Sequence, residues 1–115
     1  MRRTRIASRS PAKAEADAKY RCAKVEHFRE HPDCAFPWCR RSLTRGDEMD
    51  LHHAAGRNGP LLYAKQFFRT LCRQHHDFVE NNLSWSRTHG WIIDLTVEEV
   101  RKLRLDELLI RNVHE

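Results

Sequence analysis

Two short histidine-bearing segments of this 115-residue chain carry side chains suited to metal binding and proton transfer. The first reads DLHH at residues 50–53, and the second reads CRQHH at residues 72–76. Alternate side chains of a strand point to opposite faces, so Asp50 and His52 share one face while His53 points to the other. The adjacent histidines are therefore predicted to differ in role, with one binding a metal ion and its neighbour acting as a base.

Three cysteines and a histidine predict a separate zinc site, namely Cys34, Cys39, Cys72 and His75. Cys34 and Cys39 lie in a tight turn that suits two sulfurs facing one ion. Cys72 and His75 are three residues apart, which brings both side chains to one ion at a knuckle or in a first helical turn. Three thiolates and an imidazole leave no open position for a substrate, so this site is expected to be structural.

The same turn also carries Phe36 and Trp38, which are expected to shield the ion. The alternative interpretation is two ordinary buried cysteines in a proline-containing loop. The downstream cysteine and histidine favour the metal site over that alternative.

Cysteine usage and hydropathy indicate a reducing compartment. Three of the four cysteines fall into metal-ligand patterns with histidine rather than into an even disulfide framework, and Cys22 is interpreted as a spare thiol. No apolar run approaches the roughly 20 residues of a membrane span, and the arginine-rich start lacks the apolar segment of a signal peptide. We therefore expect a soluble cytoplasmic protein without a membrane partner, whose small core benefits from a structural metal.

The positive charge is concentrated in two parts of the chain. Residues 1–24 carry eight Lys or Arg against two acidic residues, and residues 40–76 carry seven against three, within a net charge of +5. Such a distribution favours a phosphate-bearing partner. The candidate DNA-contacting residues are Arg2, Arg3, Arg5, Arg9, Arg57 and Arg73. The alternative for the N-terminal part is a solubilising tail.

The elements expected to position these residues form an α+β domain. Residues 1–10 are predicted to be a disordered basic arm, and residues 11–32 a helix capped by Ser10 and ended by Pro32. Residues 33–93 form the zinc-containing domain, and residues 94–115 a C-terminal helical segment. Thr96 and Glu99 make a capping box at its start, and the apolar side chains expected to pack on the body are Val97, Val100, Leu103 and Leu108 to Ile110.

Within the central domain, residues 49–53 are predicted to be a strand and residues 54–60 a loop. Residues 61–63 and 66–71 are apolar enough to return as a second strand. A helix over residues 73–82 is then expected to bury Phe78 and Val79, and Ser84 to cap a further short helical turn that carries Trp85.

Strand, loop, strand and helix with histidines at both ends resemble the ββα-metal finger of the HNH nuclease family. The run DLHHAAGRNG…LCRQHHDFVENNLSWSRTHGWI is similar to its small phage and bacterial members, and the resemblance covers residues 34–93. It implies that His53 is the general base that activates water, while His52 and His76 hold one catalytic divalent ion. A neutral imidazole can accept a proton near pH 7, in agreement with that division of roles.

The resemblance also bears on residues around these histidines. Asp50 shares the strand face of His52 and is expected to be a further ligand or to orient one. Glu80 lies one helical turn after His76, and a carboxylate there suits Mg²⁺ or Mn²⁺. The family's middle asparagine is replaced by Phe67 in this chain, so that role is vacant or is filled by Asn58.

Together these features predict a metal-dependent endonuclease that hydrolyses double-stranded DNA in a bacterial or phage-infected cell. The first alternative is a zinc-stapled DNA-binding module that does not cleave. The second is an adaptor of a phage packaging or repair complex. The trio His52, His53 and His76 favours the nuclease, because DNA binding alone does not require three convergent imidazoles.

Overall fold

The computed structural model describes the backbone of residues 10–114 and the side chains of residues 10–106. In chain order, the helices and strands of this range are α1 Pro11–Glu30, β1 Met49–His53, β2 Phe68–Cys72, α2 Arg73–Asn81, α3 Leu83–Thr88 and α4 Val97–His114. Short 3-10 helices also occur at Leu43–Arg45, Gly59–Tyr63 and Lys65–Phe67. The protein is therefore α+β, as predicted, and no helix between residues 10 and 114 has the length and apolarity to cross a membrane. The expectations for Arg2, Arg3, Arg5, Arg9 and the side chains of Leu108 to Ile110 lie outside the described parts.

α1 begins and ends where its sequence indicates. The Ser10 hydroxyl accepts a hydrogen bond of 3.1 Å from the Lys13 backbone N–H, and the helix ends two residues before Pro32. Its buried side chains are Ala23 and His27, which lie one turn apart on the same face. This face packs against the second strand and against the 3-10 helices that precede it.

β1 and β2 form a two-stranded antiparallel sheet. His53 pairs with Phe68, and Met49 pairs with Cys72 at the other end. The predicted strand at residues 61–63 is wrong, because the chain forms the 3-10 helix Gly59–Tyr63 there. Pro60 has no N–H to give to a sheet, and its fixed φ suits a first helical turn.

α2 buries one apolar side chain of the two predicted. Val79 is fully buried, whereas Phe78 is 41% exposed. Consecutive helical residues are about 100° apart around the axis, so both cannot face a two-stranded sheet. Phe78 instead packs edge-to-face on Phe36 and Trp85, with ring centroids 5.9 and 5.1 Å away.

α3 starts earlier than predicted, so Ser84 is an internal residue and not its cap. The Asn82 carbonyl accepts a hydrogen bond of 2.8 Å from the Ser86 N–H, which begins the helical ladder before Ser84. Ser86 is fully buried, and its hydroxyl donates to the Val79 carbonyl at 2.8 Å. This serine therefore ties α3 to the end of α2.

The capping box of α4 is present. The Thr96 hydroxyl accepts from the Glu99 N–H, and the Glu99 carboxylate accepts from the Thr96 N–H, both at 3.1 Å. α4 packs against the 3-10 helix Gly59–Tyr63. Val100 and Leu103 are half-buried, but Val97 is 71% exposed, so the expectation that it packs on the body is wrong. As a first-turn residue, Val97 lies before the point where α4 meets the rest of the protein.

The centre of the domain is small and contains sulfur. Two buried thiols, Cys34 and Cys72, cluster with Leu71 and Val79. Because the few large side chains that are fully buried offer little apolar area, the cysteine cluster occupies the place that a larger hydrophobic core would fill.

Replacing Ser86 by alanine is expected to lower the free energy of unfolding by about 1–2 kcal/mol, because the buried Val79 carbonyl loses its donor. Ser84→Ala removes an equally small hydroxyl from an exposed position of the same helix and serves as the control. Urea unfolding of both variants measures the difference. Equal losses for the two variants would contradict this role of Ser86.

Candidate metal centre and histidine cluster

Cys34, Cys39, Cys72 and His75 come together at one point of the fold. One ligand atom from each lies within 4.8 Å of all the others. The His75 Nδ1 is 3.6 Å from the Cys34 Sγ and 3.2 Å from the Cys72 Sγ. Tetrahedral zinc with its usual bond lengths separates sulfur and nitrogen ligands by about 3.6 Å. The predicted grouping is confirmed, and its donor set and spacing fit zinc.

Local structure explains how the four ligands meet. The Cys39 N–H donates to the Phe36 carbonyl at 3.2 Å, which closes the tight turn after Cys34. Phe36 stacks on the His75 ring at 4.3 Å and covers one side of the cluster, as predicted. Trp38 does not, because it is 96% exposed and adopts φ 61° at the outer tip of the turn.

The pKa values of Cys34, Cys72 and His75 are shifted in different directions. Burial raises the pKa of the Cys34 thiol to about 11. Burial also acts to raise the pKa of Cys72, but hydrogen bonds from the His75 backbone and from the side chains of Cys34, Cys39 and Arg41 lower it overall. Burial and the charge of Arg41 lower the pKa of His75, so its imidazole is neutral near pH 7. A neutral imidazole and a readily formed thiolate are the forms that bind metal, and a bound cation would displace the proton of Cys34.

A second group of polar side chains lies between β1 and α2. The rings of His52 and His76 are 5.3 Å apart. His76 lies between two carboxylates, with its Nδ1 2.9 Å from Asp50 Oδ2 and its Nε2 3.0 Å from Glu80 Oε1. Arg73 reaches the other oxygen of Asp50 at 3.3 Å. The structure thus brings these predicted site residues to one side of the sheet.

His52 is held by a backbone carbonyl. Its Nε2 lies 2.6 Å from the Trp91 carbonyl oxygen, which can only accept a hydrogen bond. The Nε2 therefore carries the proton, and in the neutral ring Nδ1 keeps a lone pair. Burial lowers the pKa of His52, against the opposing effect of the Trp91 carbonyl, so the neutral ring is favoured.

His53 faces the opposite side of β1 and is held in the same way. Its Nε2 lies 3.2 Å from the Leu62 carbonyl, which again leaves Nδ1 as the acceptor in the neutral ring. Its ring contacts Phe68 and Tyr20 at centroid distances of 4.9 and 5.5 Å. Burial is the main cause that lowers the pKa of His53, the Leu62 carbonyl opposes it, and the charge of Arg57 lowers it further.

The histidine group is more open than the cysteine cluster. Among the described residues, only the cysteine cluster brings three or more His, Cys, Asp or Glu ligand atoms within 4.8 Å of one another. Asn58 is exposed just before the 3-10 helix Gly59–Tyr63 and gives it no side-chain cap. Arg57 is exposed as well, with its guanidinium 5.6 Å from the centre of the Tyr20 ring.

Three contributors to this site were not anticipated. Two are the backbone carbonyls of Trp91 and Leu62, whose contacts with the histidines cannot be predicted from a pattern of side chains. The third is the Tyr20 ring on α1, whose contact with His53 depends on how that helix crosses the sheet.

Comparison of this chain with protein-family models, with curated proteins and with solved structures found no match. The assignment of a function therefore depends on the side chains and the geometry described above.

Cys34→Ser is expected to abolish stoichiometric zinc binding and to lower the melting temperature strongly, because the binding free energy of a structural zinc is largely folding free energy. Cys22→Ser is the matched control, since Cys22 is an exposed free thiol on α1. Elemental analysis and thermal unfolding check both variants. Purified parent protein without tightly held zinc, or equal behaviour of the two variants, would contradict a structural metal site.

Proposed function

We propose that this protein is a metal-dependent endonuclease of the HNH type that hydrolyses phosphodiester bonds in double-stranded DNA. The observation that carries the proposal is the pair of adjacent histidines on β1. Each is oriented by a backbone carbonyl, and they face opposite sides of the strand, with His52 beside His76 and His53 beside Tyr20. This arrangement suits the separation of a metal ligand from a base.

The side chains around His76 are of the types that bind a divalent ion. His52 offers its Nδ1 lone pair, Asp50 offers a carboxylate oxygen at the Nδ1 of His76, and Glu80 offers one at the opposite ring nitrogen, Nε2. The 2.9 Å between His76 Nδ1 and Asp50 Oδ2 matches the spacing of about 3 Å between adjacent ligands of an octahedral ion with bonds near 2.1 Å. A mixed set of imidazole and carboxylate suits Mn²⁺ and other transition ions, and the carboxylates also suit Mg²⁺.

In the proposed reaction, the Nδ1 of His53 accepts a proton from a water molecule as the water oxygen attacks the phosphorus. The Leu62 carbonyl then accepts a stronger hydrogen bond from the imidazolium and stabilises it. The bond from phosphorus to the leaving oxygen breaks, and that oxygen takes a proton from solvent. A bound divalent ion would supply neutralisation of charge on the phosphate and on the leaving oxygen.

The cysteine cluster has a different task in this proposal. Its four protein ligands would fill the coordination shell of a zinc ion and leave no position for substrate. These ligands would use a bound zinc to hold in place the end of β2 and the start of α2, where His76 lies. The catalytic and structural ions are therefore separate.

DNA is the substrate that the charge distribution favours. Residues 40–76 carry seven basic residues against three acidic ones, and Arg57 is exposed on the His53 side of the strand. Arg73 is also exposed, although its charge is shared with Asp50. Phosphate contacts by these residues would give affinity without reading sequence.

One observation favours a zinc-stapled DNA-binding module that does not cleave, whether alone or as an adaptor in a phage DNA-processing complex. Both ring nitrogens of His76 already have carboxylate partners, and Arg73 pairs with the other oxygen of Asp50. Such a network is satisfied without an ion. Activity and metal dependence distinguish the two functions.

His53→Ala is expected to abolish plasmid nicking while leaving zinc content and DNA affinity close to those of the parent, because the base acts on water. His52→Ala and His76→Ala should also lose activity, but through weaker binding of the catalytic ion. Excess Mn²⁺ should therefore partly restore these two variants and not His53→Ala. A nicking assay with added magnesium, manganese or nickel measures the contrast.

His89→Ala is the control for this series, because His89 is an exposed histidine at the end of α3 whose ring stacks on Trp85. It should cleave like the parent. If His53→Ala cleaves as fast as His89→Ala under the same metal, another group is the base, or the activity belongs to a contaminant.

A further inference from the structure

The first helix, α1, lies outside the strand, loop, strand and helix unit, yet it contacts His53. Tyr20 is half-buried, and its ring centre is 5.5 Å from that of His53 at an angle of 43°. The contact places one wall of the His53 environment on α1. Side chains near Tyr20 are therefore also near the proposed base.

Two cations converge on the Tyr20 ring. The Lys24 Nζ is 5.9 Å from the ring centre, one helical turn further along α1, and the Arg57 Cζ is 5.6 Å from it. Each distance is within the range of a cation–π interaction. A lysine from the helix and an arginine from the loop after β1 therefore lie within cation–π distance of the same ring.

These two cations have no carboxylate partner among the residues whose side chains the structure describes. The contrast with Lys65 is clear, since its ammonium lies 2.6 Å from Glu26 and 3.7 Å from Glu30. An anion that reaches either cation would supply the countercharge that the described carboxylates do not. Lys24 and Arg57 are both exposed, so an anion from solution can reach them.

The position of Lys24 and Arg57 also indicates which class of anion binds there. The two cations lie 5.9 and 5.6 Å from the Tyr20 ring centre, and that centre is 5.5 Å from the centre of the His53 ring. An anion bound here lies beside the proposed general base. In a nuclease, the anion next to the base is a phosphate of the DNA backbone.

We infer that Tyr20, Lys24 and Arg57 form a phosphate-binding surface for the DNA backbone beside His53, so that α1 is part of the substrate site. This inference rests on the proposed function. Lys24 and Arg57 touch the phosphate, and Tyr20 is a positioning residue that keeps the two cations together.

The test measures affinity for a short DNA duplex by fluorescence anisotropy at several salt concentrations, with zinc-loaded full-length protein and no added catalytic ion. Lys24→Gln and Arg57→Gln should each lower the slope of log affinity against log salt by about 0.9, and the double variant by about 1.8. Arg21→Gln is the matched control, because it removes an exposed cation beside Tyr20 that makes no contact with the Tyr20 ring. Its slope should equal that of the parent.

Tyr20→Leu should weaken binding although it removes no charge, because both cations lose the ring that holds them. Tyr20→Phe should restore most of the affinity lost in Tyr20→Leu, since the ring and not the hydroxyl is required. Unchanged zinc content in both variants separates this effect from misfolding. Loss of affinity in Tyr20→Phe equal to that in Tyr20→Leu would overturn the role of the ring.

Slopes of Lys24→Gln and Arg57→Gln equal to that of Arg21→Gln would overturn the inference. Tighter binding of polyglutamate than of a DNA duplex of equal charge, at the same salt concentration, would overturn it in favour of an acidic protein partner. Plasmid nicking by the parent is measured in parallel. Lower slopes in the variants, with no nicking by the parent, would support the phosphate surface and refute the nuclease. Nicking by the parent, with unchanged slopes in the variants, would support the nuclease and refute the phosphate surface.

Discussion

The convergence of three thiols and one imidazole is the constraint on which the rest of this structure depends. Cys34 and Cys39 come from a tight turn, Cys72 ends β2, and His75 lies in the first turn of α2. Few large apolar side chains are fully buried, and a domain of this size gains little stability from burial alone. An ion bound by these four residues would connect three segments that the small core cannot hold by itself.

The same anchor sets the geometry of the histidines. Cys72 pairs with Met49 in the sheet, so a fixed Cys72 also fixes the neighbouring pairs along β1 and thereby the faces on which His52 and His53 lie. A slip by one residue would exchange those two faces. His76 follows the cluster directly on α2, which brings its ring to His52. A metal that never meets substrate can therefore control the arrangement of the side chains proposed to act on it.

Sequence patterns predicted the elements whose causes are local. The cap of α1, the capping box of α4, β1 and the four clustered ligands all depend on residue type and short spacing. Patterns failed where tertiary contacts decide. The apolar segment after Pro60, predicted to be a strand, forms a 3-10 helix. Phe78, predicted to be buried, is exposed, and Val79 is the buried residue of the two. Carbonyls that orient the histidines, and the crossing of α1 over His53, have no signature in residue type, because they arise only when distant segments pack together.

X-ray absorption at the zinc edge of the purified protein tests the metal-centred account most directly. The account predicts a tetrahedral ion with three sulfur neighbours at about 2.3 Å and one nitrogen neighbour at about 2.0–2.1 Å. Coordination by nitrogen and oxygen alone, or protein that holds no zinc after purification without chelators, would contradict it.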